Sequence, residues 1–233
     1  FNELREKSCF FNKFSQMIAS MEPSLPLRRG VVFILSSPSG AGKTTLTRMM
    51  LQNRDLDLNL SISVTTRSRR SSEVDGIHYR FISERQFITM RDASELLEWA
   101  EVHGNYYGTP RAAVETILSQ GRDCLFDIDY QGTRQVREKL PLDTVSVFIL
   151  PPSMKELRLR LERRAEDASE VIERRLENAR KEIARWKEYD YVLINDDLQR
   201  SFDDLIAILH AERQKRPRRE RGLDKFIAQL LSE

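Results

Sequence analysis

The chain has 233 residues, 40% of them apolar and 32% charged, with a net charge of +2. That length supports one core with a small second lobe, and the composition excludes a disordered polyelectrolyte. The near-neutral balance gives no pull towards nucleic acid, no apolar run approaches a membrane span, and the two distant cysteines, Cys9 and Cys124, argue against a disulfide framework and for a reducing, cytoplasmic setting.

In residues 1–28 the helical spacing of Phe10, Phe11, Phe14, Met17 and Ile18 predicts a short amphipathic helix, too acidic at Glu3 and Glu6 for a leader peptide. Pro23 and Pro26 then mark a linker. The apolar run 31–35 predicts a buried strand, followed by Ser37-Pro38-Ser39-Gly40-Ala41-Gly42-Lys43-Thr44 and a helical pattern from Thr45 to Asn53. Strand, glycine-rich loop, Lys-Thr, helix is the order of a phosphate-binding loop. Glycines let successive N–H groups turn inward around an anion, and the helix start adds partial positive charge. Lys43 would reach the terminal phosphates of a nucleoside triphosphate and the Thr44 hydroxyl would hold Mg²⁺. The strict pattern wants glycine at position 37, where this chain has Ser37.

Runs at 124–128, 145–150 and 191–194 predict further strands of a parallel sheet, and 60–64 another. Helical patterns between them predict an α/β layered core. Residues 63–111 break the pattern with short alternating stretches such as 77–82, which predict an inserted mixed-sheet lobe. Residues 154–188 are highly charged and lack Gly and Pro. Their stripe of Ile172, Leu176, Ala179, Ile183 and Trp186 predicts a helical unit packed on the body through a narrow seam, free to move as one piece. The division expected is a core of 29–62, 112–153 and 189–233, a lobe of 63–111 and a lid of 154–188. The basic tail 213–221 reads as a solvated surface.

Two groups carry chemistry beyond the loop. Several arginines in 63–79, with Tyr79 and Tyr107, suit a second phosphate, since a guanidinium fork matches phosphate oxygens. That implies a phosphorylated acceptor. Asp127 and Asp129 sit two apart at the end of a predicted strand, sharing a face where open α/β sheets bind ligands. With Glu98 they offer acceptors only, and taken alone they read equally as helix N-caps or surface acids. A carboxylate pairs with the adjacent N1–H and N2–H₂ donors of guanine and repels the N1 lone pair of adenine.

Six motifs in order, SSPSGAGKTTL, SVTTRSRRSSEVDGIHYRF, LLEWAEVHGNYYGTP, DIDYQG, PPSMKELRLRLERRAED and INDDL, resemble those of guanylate kinases from about residue 29 to 209. The resemblance implies a P-loop three-layer parallel-sheet core with an inserted small mixed β/α GMP-binding lobe and a helical lid. It implies Mg²⁺-dependent transfer from ATP to GMP in purine nucleotide metabolism. It implies an ATP site of Ser39, Gly40, Ala41, Gly42, Lys43, Thr44 and Thr45. It implies a GMP site of Ser63, Arg67, Arg70, Glu73, Tyr79, Glu98, Tyr107, Thr109 and Asp129, with Thr109 where serine is common. Lys43, Arg67 and the lid and hinge arginines Arg160, Arg164 and Arg175 resemble the catalytic cations. Thr44 and Asp127 resemble the groups near the metal, Asp127 acting through water. Ala165 replaces a glycine that often follows the lid arginine.

Two rival readings stay open: a scaffold module of this fold without catalysis, and a P-loop kinase for another acceptor. Lys43, Thr44 and the lid arginines weigh against the first, and Glu98 with Asp129 against the second. Homo-oligomerisation is left open.

Overall fold

The computed structural model describes residues 28–164 and 169–233. The segment holding Phe10 to Ile18, and Ala165, lie outside the described residues. In chain order the elements are β1 (Val32–Ser36), α1 (Lys43–Gln52), β2 (Leu58–Leu60), β3 (Val64–Thr65), β4 (Arg80–Phe81), α2 (Glu84–Asp92), β5 (Leu96–Val102), β6 (Asn105–Pro110) and α3 (Arg111–Ser119). Then come β7 (Asp123–Asp127), α4 (Tyr130–Lys139), β8 (Thr144–Leu150), α5 (Met154–Arg164), α6 (Ser169–Ile183), β9 (Tyr191–Ile194), α7 (Leu198–Arg213) and α8 (Arg216–Leu230).

Five strands form a wholly parallel sheet in the order β2-β7-β1-β8-β9. Apolar residues run continuously along β1 because both faces are covered. Val31, Phe33 and Leu35 pack under α1 and α7 with Leu46, Met50, Leu205 and Leu209. Val32 and Ile34 face the other way, onto Val114, Leu118 and Val136 of α3 and α4. The result is a three-layer core, in which each such buried side chain contributes about 1.5–3 kcal/mol. Removing Phe33 would therefore open both a layer and the strand that feeds the glycine loop.

The smaller sheet runs β4-β3-β6-β5, with β3 and β4 parallel and the other pairs antiparallel. Val64, Phe87 and Leu96 form its own core. Its helix α2 starts at a capping box, in which Ser83 accepts from the Gln86 amide and the Gln86 side chain accepts from the Ser83 amide.

Several expectations need correction. The run at 60–64 is not one strand: β2 ends at Leu60, Ile62 is exposed, and Val64 starts a strand of the other sheet. Apolar character cannot report that the chain crosses between sheets. The alternating 77–82 stretch yields only two strand residues, after an isolated bridge between Asp75 and Tyr79. The lid stripe packs against its partner helix, since Ile172, Leu176 and Ala179 bury on Leu157 and Leu161 of α5. Trp186 lies beyond the end of α6 and is 45% exposed, so its spacing carries no packing meaning.

The basic tail is also partly structural. Asp123 is fully buried and receives both guanidinium nitrogens of Arg28 (2.6 and 2.8 Å), the Val31 amide (2.7 Å) and Arg213 (2.7 Å). Arg218 is buried beside Glu212 and donates to the Asp143 carbonyl. Buried charge survives only when paired and hydrogen-bonded, so Arg213 and Arg218 cannot be a solvated surface.

Candidate active site

The glycine loop leaves β1 at its carboxyl end and closes onto α1. Gly40 and Gly42 are left-handed, with φ of 94° and 101°. A Cβ on Gly42 would stand 2.2 Å from Asn195 Nδ2, so backbone and neighbour both demand glycine there. Non-glycine positive φ among the described residues is confined to Asp57, Ser94 and His103, so Ser37 occupies a position that tolerates a side chain. Helix α1 has no side-chain cap and no acid in its first turn. Its N-terminal field is thus left for an anion.

Lys43, the first residue of α1, forms an ion pair with Asp127 at the end of β7. Thr47 Oγ1 lies 3.5 Å from the other Asp127 oxygen. Burial pushes the Lys43 ammonium down to about 8, against the pull of Asp129 and of Glu182 on α6. Burial pushes the Glu182 carboxyl up, Asp129 adds to this, and Lys43 opposes it. The loop, Asn195 and α5 border an open cleft of about 360 Å³ lined by Gly40, Gly42, Thr45, Arg160, Asn195 and Asp196, among others. Asn195 Nδ2 donates to the Ala41 carbonyl at 2.7 Å, and Arg160 donates to Glu156 (2.9 Å) and to the Asn195 carbonyl (3.3 Å). Arg175 is half-buried on α6. Arg164 ends α5, and its side chain lies outside the described set.

The lobe gathers a second cluster. The Arg67 guanidinium lies 5.6 Å from the Tyr79 ring centre and 5.8 Å from that of Phe81, and Tyr79 meets Tyr107 edge-on at 5.9 Å. Glu73 accepts from Arg67 (2.7 Å) and from the Arg70 amide (2.8 Å). These bonds, Arg67 first, pull the Glu73 carboxyl down to about 2. The side chain of Arg70 is exposed. Deeper in, Thr109 donates to Glu98 at 2.6 Å, and the Ser63 and Thr109 hydroxyls lie 3.4 Å apart. Glu98 is only 7% exposed. Burial pushes its carboxyl up and nearby Asp129 adds to that, while Thr109 and Lys139 favour the anion. Thr109 meets one Glu98 oxygen, and a ligand donor would add to that bond.

Asp127 and Asp129 do not share a strand face. Strand β7 ends at Asp127, and Asp129 caps α4, accepting from the Gln131 and Gly132 amides at 2.9 and 3.0 Å. Asp127 therefore serves the glycine loop and Asp129 stands nearer Glu98. The structure thus brings Lys43, Asp127 and the loop together on one side, and Ser63, Arg67, Glu73, Tyr79, Glu98, Tyr107 and Thr109 on the other, with Asp129 between. The residue reading missed Asn195 and Glu182. Asn195 follows a parallel strand at its carboxyl end, which is a usable signal. Glu182 had none.

A glycine loop with Lys43 behind a parallel strand, beside a lobe carrying an arginine–tyrosine cluster, is the layout of a P-loop nucleoside monophosphate kinase. The sequence model of guanylate kinase matches residues 29–212. Guanylate kinases of Chelativorans sp. (strain BNC1) and Agrobacterium fabrum are 60% and 58% identical, over 92% and 88% of this chain and 98% and 93% of theirs. The crystal structure of guanylate kinase from Anaplasma phagocytophilum matches with a TM-score of 0.64 and 37% identity, over 82% of this chain and 90% of that one. The chain belongs to the guanylate kinase family. Its reaction is ATP-dependent phosphorylation of GMP, and kinases of this family generally take ATP with a divalent metal.

Proposed function

We propose that the glycine loop of residues 39–45 holds ATP, that the lobe of 63–111 holds GMP, and that the lid of 154–188 closes over both. The observation that carries this reading is the buried Glu98 carboxylate, bonded to Thr109 and lying within electrostatic reach of Asp129. Guanine offers adjacent N–H donors to the lone pairs that Thr109 and the α4 amides leave open, whereas adenine N1 would face them with a lone pair of its own. A site built to hydrogen-bond one ligand rejects another by roughly 10⁴-fold.

Ser63 and Thr109 assist at the base. Arg67, Arg70, Tyr79 and Tyr107 hold the GMP phosphate, and Glu73 fixes the fork of Arg67. Lys43 leaves Asp127 for the triphosphate, whose oxygens keep its ammonium charged. Asn195 and Arg160 line the cleft beside the glycine loop. Arg160, Arg164 and Arg175 neutralise the transferring group once the lid shuts, in a site cleared of water. The acceptor is already an anion, so no general base is required.

Mg²⁺ fits the residues present. Among the described residues no three His, Cys, Asp or Glu side chains form a metal cage. One hydroxyl and one carboxylate, Thr44 and Asp127, suit a dication that keeps its waters and arrives on phosphates. Bound there, it would supply charge neutralisation on the triphosphate.

No described helix is long and apolar enough to cross a membrane. Cys124 is a buried free thiol, which supports a reducing, cytoplasmic setting. The proposal takes ATP and GMP as small-molecule partners and no nucleic acid. A coupled ADP-release assay with Mg²⁺-ATP and a panel of GMP, IMP and AMP tests the site. GMP should be preferred over AMP by at least about 10³-fold, and comparable rates with AMP would overturn the guanine assignment.

A further inference from the structure

Helix α4 has contacts on two opposite faces that the transfer reaction does not itself require. At about 100° per residue, Tyr130, Arg134 and Arg137 fall on one face, and Gln135 and Lys139 roughly opposite. The second face grips the lobe. Gln135 accepts from the Trp99 amide (3.1 Å) and donates to the Trp99 carbonyl (3.0 Å), while Lys139 donates to the Leu96 carbonyl (2.8 Å). Those two anchors bracket Glu98 on β5. The first face grips the base of the lid. Arg134 donates to both oxygens of Glu188 (2.8 and 2.7 Å), and Arg185 lies 4.1 Å from the Tyr130 ring centre. Arg137 donates to the Glu188 carbonyl and to Asp190. The helix itself is capped by Asp129, the other acid placed at guanine.

We infer that α4 couples the two mobile parts of the enzyme: Gln135 and Lys139 hold the strand that reads the base, Tyr130 and Arg134 hold the lid's root, and GMP binding thereby sets the lid for ATP. Arg134 and Gln135 are positioning residues, since neither touches the proposed substrate sites. This rests on the placement of guanine at Glu98 and Asp129. The pair Arg134–Glu188 is half-exposed, with side-chain exposures of 53% and 32%. Exposed pairs contribute little to global stability, so its loss should show in coupling rather than in unfolding.

The test titrates a non-hydrolysable ATP analogue with and without saturating GMP. In wild type, GMP should tighten analogue binding by roughly tenfold, within the usual range of coupling between sites. Arg134→Ala should bring that factor to within about twofold of none, with GMP affinity alone and melting temperature near wild type. Gln135→Leu, measured at a GMP concentration that saturates that variant, should cut the coupling factor likewise from the opposite face. The conservative Arg134→Lys should recover most of the coupling. No tightening in wild type, full tightening in Arg134→Ala or Gln135→Leu, or Arg134→Lys as poor as Arg134→Ala would overturn the inference. Absence of GMP binding in wild type would sink the guanine placement as well, which distinguishes the two failures.

Discussion

The proposed ATP cradle and the proposed GMP cradle are built by different means. The donor side is backbone: two left-handed glycines, an uncapped helix start and a fully buried strand beneath them. The acceptor side is side chains: an Arg67–Glu73 ion pair, two tyrosines and a buried Thr109–Glu98 bond on a sheet with strands as short as two residues. A backbone cradle recognises phosphate whatever base it carries. A side-chain cradle can be tuned to one base.

This contrast can be broken most severely at Lys43. Lys43→Ala should lower turnover by about 10³-fold, the scale of losing a preorganised charge at the transferring group; single-turnover kinetics would report it. On the other side, Glu98→Gln should cut the preference for GMP over AMP by roughly tenfold to a hundredfold while leaving the apparent affinity for ATP near wild type. Competition kinetics with the two acceptors measures that split.

The two cradles should also part with pH. The Lys43 ammonium must be charged to hold phosphate, and burial brings it to about 8. kcat/KM for ATP should therefore fall as pH rises through about 8, and Lys43→Arg should abolish that limb whatever its turnover. Glu98 must be ionised to accept from guanine, and burial pushes it up. kcat/KM for GMP should fall on the acid side, at a pH above the ordinary carboxylate range, and Glu98→Gln should remove that limb. Bound phosphate restores the lysine charge, so kcat itself should show a weaker alkaline fall. The smallest effect is expected at Ser37→Gly. Ser37 is not left-handed, so turnover should stay within about twofold of wild type.

The same contrast explains what the sequence disclosed. The glycine loop was legible because its chemistry is contiguous: Gly40, Gly42, Lys43 and Thr44 lie in one stretch behind one strand. Arg67 stood out as one of several arginines in 63–79, but Glu73 entered only through the family resemblance, and its bond to Arg67 was not read. The grips of α4 were not, because Gln135 reaches Trp99 across 36 positions and Arg134 reaches Glu188 across 54, and such pairs leave no periodicity. Asp129 looked like a strand partner of Asp127 because spacing alone cannot report that a strand ends between them. The run at 60–64 failed likewise, since hydrophobicity does not say which sheet a residue joins.

The central claim is that each nucleotide has its own cradle and that the two are separable. The most direct measurement is the affinity of Lys43→Ala for GMP by calorimetry in the absence of ATP. Separate cradles predict a dissociation constant within about twofold of wild type, alongside greatly weakened ATP. Loss of GMP binding in a correctly folded Lys43→Ala protein would contradict the account.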